Sequence, residues 1–121
     1  FLFNIINKEY AKKLIVMLPN QKHPSHHHKE KTESFLIVSG KLYIENNNRK
    51  FTLNPGDIYH VNKNTWHQFN AGDKGCIFEE ISTRAIKSDS YYKNKKLTKI
   101  SRTERKTFID NWFSVKNILN K

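Results

Sequence analysis

The chain has 121 residues, room for one compact domain and too few for two. Hydrophobic residues make up 36% and charged residues 27%, with 8 Phe, 5 Tyr and 2 Trp, which supplies a core and excludes a disordered chain. The 22 Lys and Arg against 11 Asp and Glu give a formal charge of +11, the balance of a protein that meets polyanions, so the placement of that charge has to be read before the partner is.

The opening Phe1-Leu2-Phe3-Asn4-Ile5-Ile6 is too short and too interrupted by Asn to be the apolar region of a signal peptide. No stretch reaches the ~18 apolar residues that a membrane-spanning helix needs. With a lone Cys76 that can close no internal disulfide, this predicts a cytoplasmic protein that keeps away from membranes. The chain starts at Phe and its only methionine is Met17, so it reads as a fragment of a longer polypeptide, with residues 1–12 as a lead-in.

Residues 13–83 have the pattern of an all-β barrel: short apolar runs separated by turn chemistry about every ten residues. The predicted strands are 13–18, 34–39, 41–45, 49–53, 57–61, 65–70 and 76–83. Pro19-Asn20 and Gly40 end the first two, and Asn46-Asn47-Asn48 makes a hairpin turn because Asn tolerates left-handed backbone angles. Asn54-Pro55-Gly56-Asp57 is a further turn, with Pro fixing φ and Gly free to take it positive. Ala71-Gly72-Asp73-Lys74-Gly75 is read as the loop before the last strand.

Residues 84–121, an extension of the same domain, carry eleven Lys and Arg against Asp89, Glu104 and Asp110, a net +8 that leaves +3 for the rest. From Thr103 onward Phe108, Ile109, Trp112, Phe113, Val115 and Leu119 recur at helical spacing, which predicts a C-terminal amphipathic helix packed on the barrel. The basic residues are interleaved with these core-like aromatics, and the excess of Asn, Lys and Ile has the look of AT-biased coding. The charge is therefore read as a solvated face and not as a nucleic-acid site. Open barrel edges and the helix are compatible with a homodimer.

The chemistry concentrates in His26-His27-His28-Lys29-Glu30-Lys31-Thr32-Glu33, with Gly40 following. His26 and His28, at i and i+2 on extended backbone, share a face, and Glu33 at the entry to the next strand can close on the same point. A fourth ligand is expected from a distant strand, and His67 supplies it. Three imidazoles and a carboxylate suit one divalent ion, Mn, Zn, Fe or Ni, with positions left for water or substrate. His27 alternates to the opposite face and His23 precedes the motif, so both are left out of the site.

The spacing His26-x-His28-x4-Glu33-x6-Gly40 matches the first motif of the cupin superfamily, and Pro55-Gly56-Asp57 through His67 to Asn70 resembles its second. The second motif has Lys63-Asn64-Thr65 where Pro-x-Gly is usual. The resemblance implies a small jelly-roll barrel with the metal on His26, His28, Glu33 and His67. Residues 13–21, with Lys31 two before Glu33, look like the D-lyxose isomerase branch. Residues 78–83, 87–92 and 102–107 are similar to small sugar-related cupins, including those attached to sialic-acid-synthase-type enzymes.

On the last strand Phe78, Glu80 and Ser82 share one face and Ile77, Glu79 and Ile81 the other, and parity alone does not choose between them. The resemblance favours Glu80 as the inward acid. It implies an aldose-ketose isomerase or epimerase in which Glu80 moves a proton between adjacent carbons, Lys31 stabilises the oxyanion, Gln21 and Asp89 hold hydroxyls, and Phe69 lies against the substrate. The alternative it implies is a non-catalytic module that binds a sugar or sugar acid at the C-terminus of a synthase.

Overall fold

The computed structural model describes residues 1–27, 29, 31–84, 91–92 and 108–109, with His26, Tyr92, Phe108 and Ile109 through their backbone. Alternation of side chains builds it. Along β2, Tyr10–Met17, the odd-numbered residues from Ala11 to Met17 point inward and the even ones outward. The same period-2 pattern buries Glu33, Phe35 and Ile37 at the start of β4, Glu33–Asn46, and Phe78, Glu80 and Ser82 near the end of β7, His67–Thr83.

The remaining strands are β1 (Leu2–Asn7), β3 (Lys22–His27), β5 (Arg49–Leu53), β6 (Ile58–Val61), β8 (Tyr91–Tyr92) and β9 (Phe108–Ile109). All belong to one hydrogen-bonded sheet that folds over into two layers, because β4 and β7 each run through both. The first layer has the order β6-β4-β7-β2-β1-β9, using Glu33 to Ile37 of β4 and Cys76 to Thr83 of β7. The second has the order β5-β4-β7-β3-β8, using Leu42 to Asn46 and His67 to Ala71. All pairings are antiparallel except β1 with β9.

The bends lie at Gly40 and Gly75, with positive φ of 78° and 77°. A Cβ on Gly40 would overlap the Gly75 carbonyl oxygen, and one on Gly75 would come within 2.7 Å of the Met17 carbonyl oxygen. Backbone meets backbone here, so no side chain fits. Each long strand thus doubles back, and both its ends come to the same mouth while the bends form the closed end. Phe35 and Phe78 of the first layer meet Phe69 of the second edge-to-face, at centroid distances of 5.5 and 6.0 Å, across the barrel.

The barrel is the jelly roll expected. Strand β5 falls where the sequence places it, but 34–39 with 41–45, and 65–70 with 76–83, are single bent strands in which pairing continues past the glycines. The lead-in forms β1, paired with β2. Asn47 and Asn48 take positive φ in the β4–β5 hairpin as expected, and Asn64, at 58°, makes the turn before His67. The C-terminal helix lies outside the described residues except at Phe108–Ile109, which are strand and not helix. No helix among the described residues is long and apolar enough to cross a membrane.

Gly40→Ala is expected to cost about 3 kcal/mol or more and to lower the melting temperature by roughly 10 °C. Gly56, with φ 91° but open space around its Cα, should lose about 1 kcal/mol on the same change. Equal losses in thermal melts would show that φ alone, and not the crossing, sets the cost. Burial at the closed end pushes the Cys76 thiol up to about 11, so at pH 8 it stays protonated and a thiol reagent should label it only as the barrel opens. Labelling of native protein at the rate of a free thiol would contradict this.

Candidate functional site

The mouth holds a chain of buried charges. Lys13 on β2, Lys31 in the segment before β4, Glu33 on β4 and Glu80 on β7 are respectively 3%, 6%, 4% and 7% exposed, a burial that charged side chains reach only when paired. Lys31 Nζ lies 2.9 Å from Glu33 Oε1 and 3.6 Å from Glu80 Oε2. Lys13 Nζ lies 3.6 Å from the same Glu80 oxygen, and Glu33 Oε2 lies 4.0 Å from His67 Nε2. Two cations and two carboxylates therefore alternate from Lys13 through Glu80 and Lys31 to Glu33, with His67 at the far end.

The doubling back of β4 and β7 explains the convergence. Glu33 opens β4 and His67 opens β7, while Glu80 and Ser82 come near the end of β7 after its bend. Register sets Glu33 across from Ser82, and Lys13 across from Glu80. Phe35, Phe69 and Phe78 form an aromatic floor beneath the charges. Such a floor excludes water from below and strengthens each ion pair above it.

His67 is buried, and its Nδ1 lies 2.9 Å from the Thr65 carbonyl oxygen. A carbonyl only accepts, so Nδ1–H donates and Nε2 carries the lone pair, facing Glu33. This is the tautomer and bracing of a metal-ligating histidine. The 4.0 Å between Nε2 and Glu33 Oε2 is within the ~4.2 Å that two donors can span on one ion of this class. The β3–β7 register sets His26 directly across from His67. His28 and the His26 side chain lie outside the described residues, and among the described residues no group of three His, Cys, Asp or Glu is assembled. The donors that are described fit a divalent ion.

The other predicted residues divide. Glu80 faces inward, whereas Glu79 points out and pairs with Lys12 at 3.6 Å. Lys31 is in the cluster. Phe69 is buried and stacked beside His67, part of the floor. Gln21 is a correction: it is exposed near the closed end, where its Oε1 accepts from the Leu18 N–H at 2.9 Å, so its side chain closes a turn away from the mouth. Asp89 lies outside the described residues. His27 packs against Trp66 and Tyr91 as parity expects for the outer face.

Two residues of this region are not foreseen from sequence. Lys13 is hidden in the apolar run Lys13 to Leu18, although period-2 counting puts it on one face with Ile15 and Met17. His23 is half-buried and stacked on Phe69 at 4.5 Å. Simple parity opposes it to His26, but the register shift between them sets both across from inward residues, Phe69 and His67.

Lys13→Met removes one of the two cations beside Glu80 and should destabilise the fold by about 2–4 kcal/mol in urea denaturation. Adding Glu80→Gln should return part of that loss, a coupling on the order of 1–3 kcal/mol. Strictly additive losses would mean that the two groups do not interact.

Residues 13–82 match the family described as "Cupin domain". A D-lyxose ketol-isomerase from Thermofilum sp. (strain ex4484_79) is 29% identical over 126 residues, covering 82% of this chain and 70% of its own. A D-lyxose/D-mannose isomerase from Thermosediminibacter oceani is 26% identical over 122 residues, covering 78% and 67%. Among solved structures, the DMSP lyase DddQ from Ruegeria pomeroyi superposes with a TM-score of 0.70 over 79% of this chain and 52% of its own, at 14% identity. KdgF from Halomonas sp. does so with a TM-score of 0.65 over 69% and 76%, at 15% identity. At these identities the structural likeness is one of fold.

Proposed function

Because the chain belongs to the cupin family, we propose that its mouth is the active site of a metal-dependent aldose-ketose isomerase acting on a small free sugar of the D-lyxose or D-mannose type. The observation that carries this reading is Glu80, an inward carboxylate held between two buried lysines beside the Glu33 and His67 donors. The relatives named for D-lyxose isomerisation support the choice of substrate class.

Isomerisation needs a base that removes a proton from the carbon beside a carbonyl and returns it to the neighbouring carbon, and a means of stabilising negative charge on oxygen in between. Glu80 is the base. Lys13 and Lys31 favour its ionised form, the form that accepts a proton. Lys31, in reach of both Glu80 and Glu33, is the cation placed for the developing oxyanion. His26, His28, Glu33 and His67 would hold the divalent ion, which when bound supplies Lewis-acid polarisation of the carbonyl. The aromatic floor under His67 closes the site to bulk water, and Asp89 is assigned to the sugar hydroxyls.

The test is isomerisation of a pentose and hexose panel, followed by deuterium uptake at C2. The wild type loaded with Mn²⁺ should turn over at least one member and lose that activity on chelation. Glu80→Gln should keep its metal by elemental analysis and lose activity by about 10³-fold. Glu33→Gln and His67→Ala should lose the metal itself. Sugar binding without turnover by the metal-loaded wild type would replace this reading with that of a sugar-binding module.

A further inference from the structure

The backs of the two layers differ sharply. Behind the second layer, Lys41, Glu45, Lys50, Thr52 and Gln68 give the polar surface expected of a sheet facing water. Behind the first, Leu14, Leu36, Val38, Ile58, Ile77 and Ile81 point outward on four adjacent strands. Register makes them neighbours: Leu36 lies across from Ile58, and Val16 from Ile77. Ile58 is 60% exposed, Val38 51% and Ile81 46%. A contiguous apolar patch of this kind on a soluble domain marks a contact surface.

Charge says what covers it. The chain carries 22 Lys and Arg in 121 residues, yet among the described outward positions of β2, β6 and the first-layer parts of β4 and β7 the one Lys or Arg is Lys12. Lysine depletion is what distinguishes the centre of a protein interface from other surface. Lys12 is balanced by Glu79, 3.6 Å away, and Ser34 Oγ is 2.6 Å from His60 Nδ1. The polar groups of this face therefore satisfy one another, and covering it strands none. A face holding one cation beside one anion is complementary to its own copy turned by a two-fold axis, which sets Lys12 of each against Glu79 of the other.

We infer that this face binds a second copy of the chain, back to back across the first layers, with both mouths pointing away from the contact. The inference is independent of the reaction at the mouth.

The test is the mass of the whole chain by sedimentation and light scattering, from low micromolar to about 100 µM. A dimer of twice 14.4 kDa is expected. Leu36→Asp and Ile81→Asp should each weaken it by roughly 100-fold, with circular dichroism unchanged, and Thr52→Asp on the other back should leave it intact. Lys12→Glu and Glu79→Lys should each weaken the dimer, and mixing the two variants should restore it as a heterodimer, since each then offers the charge the other needs. A monomer at every concentration would overturn the inference and leave the face to a different polypeptide. A dimer indifferent to Leu36→Asp, Ile81→Asp and both charge variants would overturn it as well.

Discussion

The structure depends on one place where backbone touches backbone. Gly40 and Gly75 cross so closely at the closed end that neither could carry a side chain, and both sit in the left-handed region. Because they do, two long strands fold back and serve both layers. Residues separated along the sequence by most of a strand then meet at one mouth: His67 with Glu80, and both with Glu33. Polar convergence at the mouth is thus a consequence of backbone contact at the opposite end. The phenylalanine floor between them transmits that geometry as packed volume.

The mouth reverses the electrostatic character of the rest. The chain is strongly basic, yet Lys13, Lys31, Glu33 and Glu80 sum to zero. Buried charges are tolerated only in such balance, because the desolvation of each has to be offset by its neighbours. Glu80 illustrates the arrangement, with lysines from β2 and from the segment before β4 on the same carboxylate oxygen. In a site closed from below by aromatic rings these interactions act at low local dielectric, so the carboxylate is held ionised and in place before any substrate arrives.

Much of this was legible in the sequence wherever local chemistry and tertiary structure agree. The β4–β5 hairpin follows from an Asn run that accepts left-handed angles, and Glu33, Glu80 and His67 follow from spacing and parity with the family resemblance. The misreadings share a cause. Glycines that end strands elsewhere only bend them here, because the hydrogen-bonded partner bends too. Parity counting across Pro24 and Ser25 misplaces His23, since an irregularity in the ladder is invisible in residue types. Lys13 escapes because one lysine beside an apolar run resembles a strand boundary until its partner Glu80 is known to face inward. Gln21 reads as a binding residue by proximity to the histidines, but the chain turns at Leu18 to Gln21 before it reaches them.

The alternation of charges at the mouth also limits how this site can change. Its members come from separate stretches of chain, and each cation is shared or matched by a carboxylate on a different element. Replacing any one with a neutral residue leaves an odd charge in a dry place. Sequence drift at this mouth therefore has to proceed in balanced pairs, and a barrel of this design that lacks the acid at position 80 should also lack the lysine at position 13. Such paired loss is a mark by which chains that keep the scaffold but have abandoned the chemistry can be told from those that retain it.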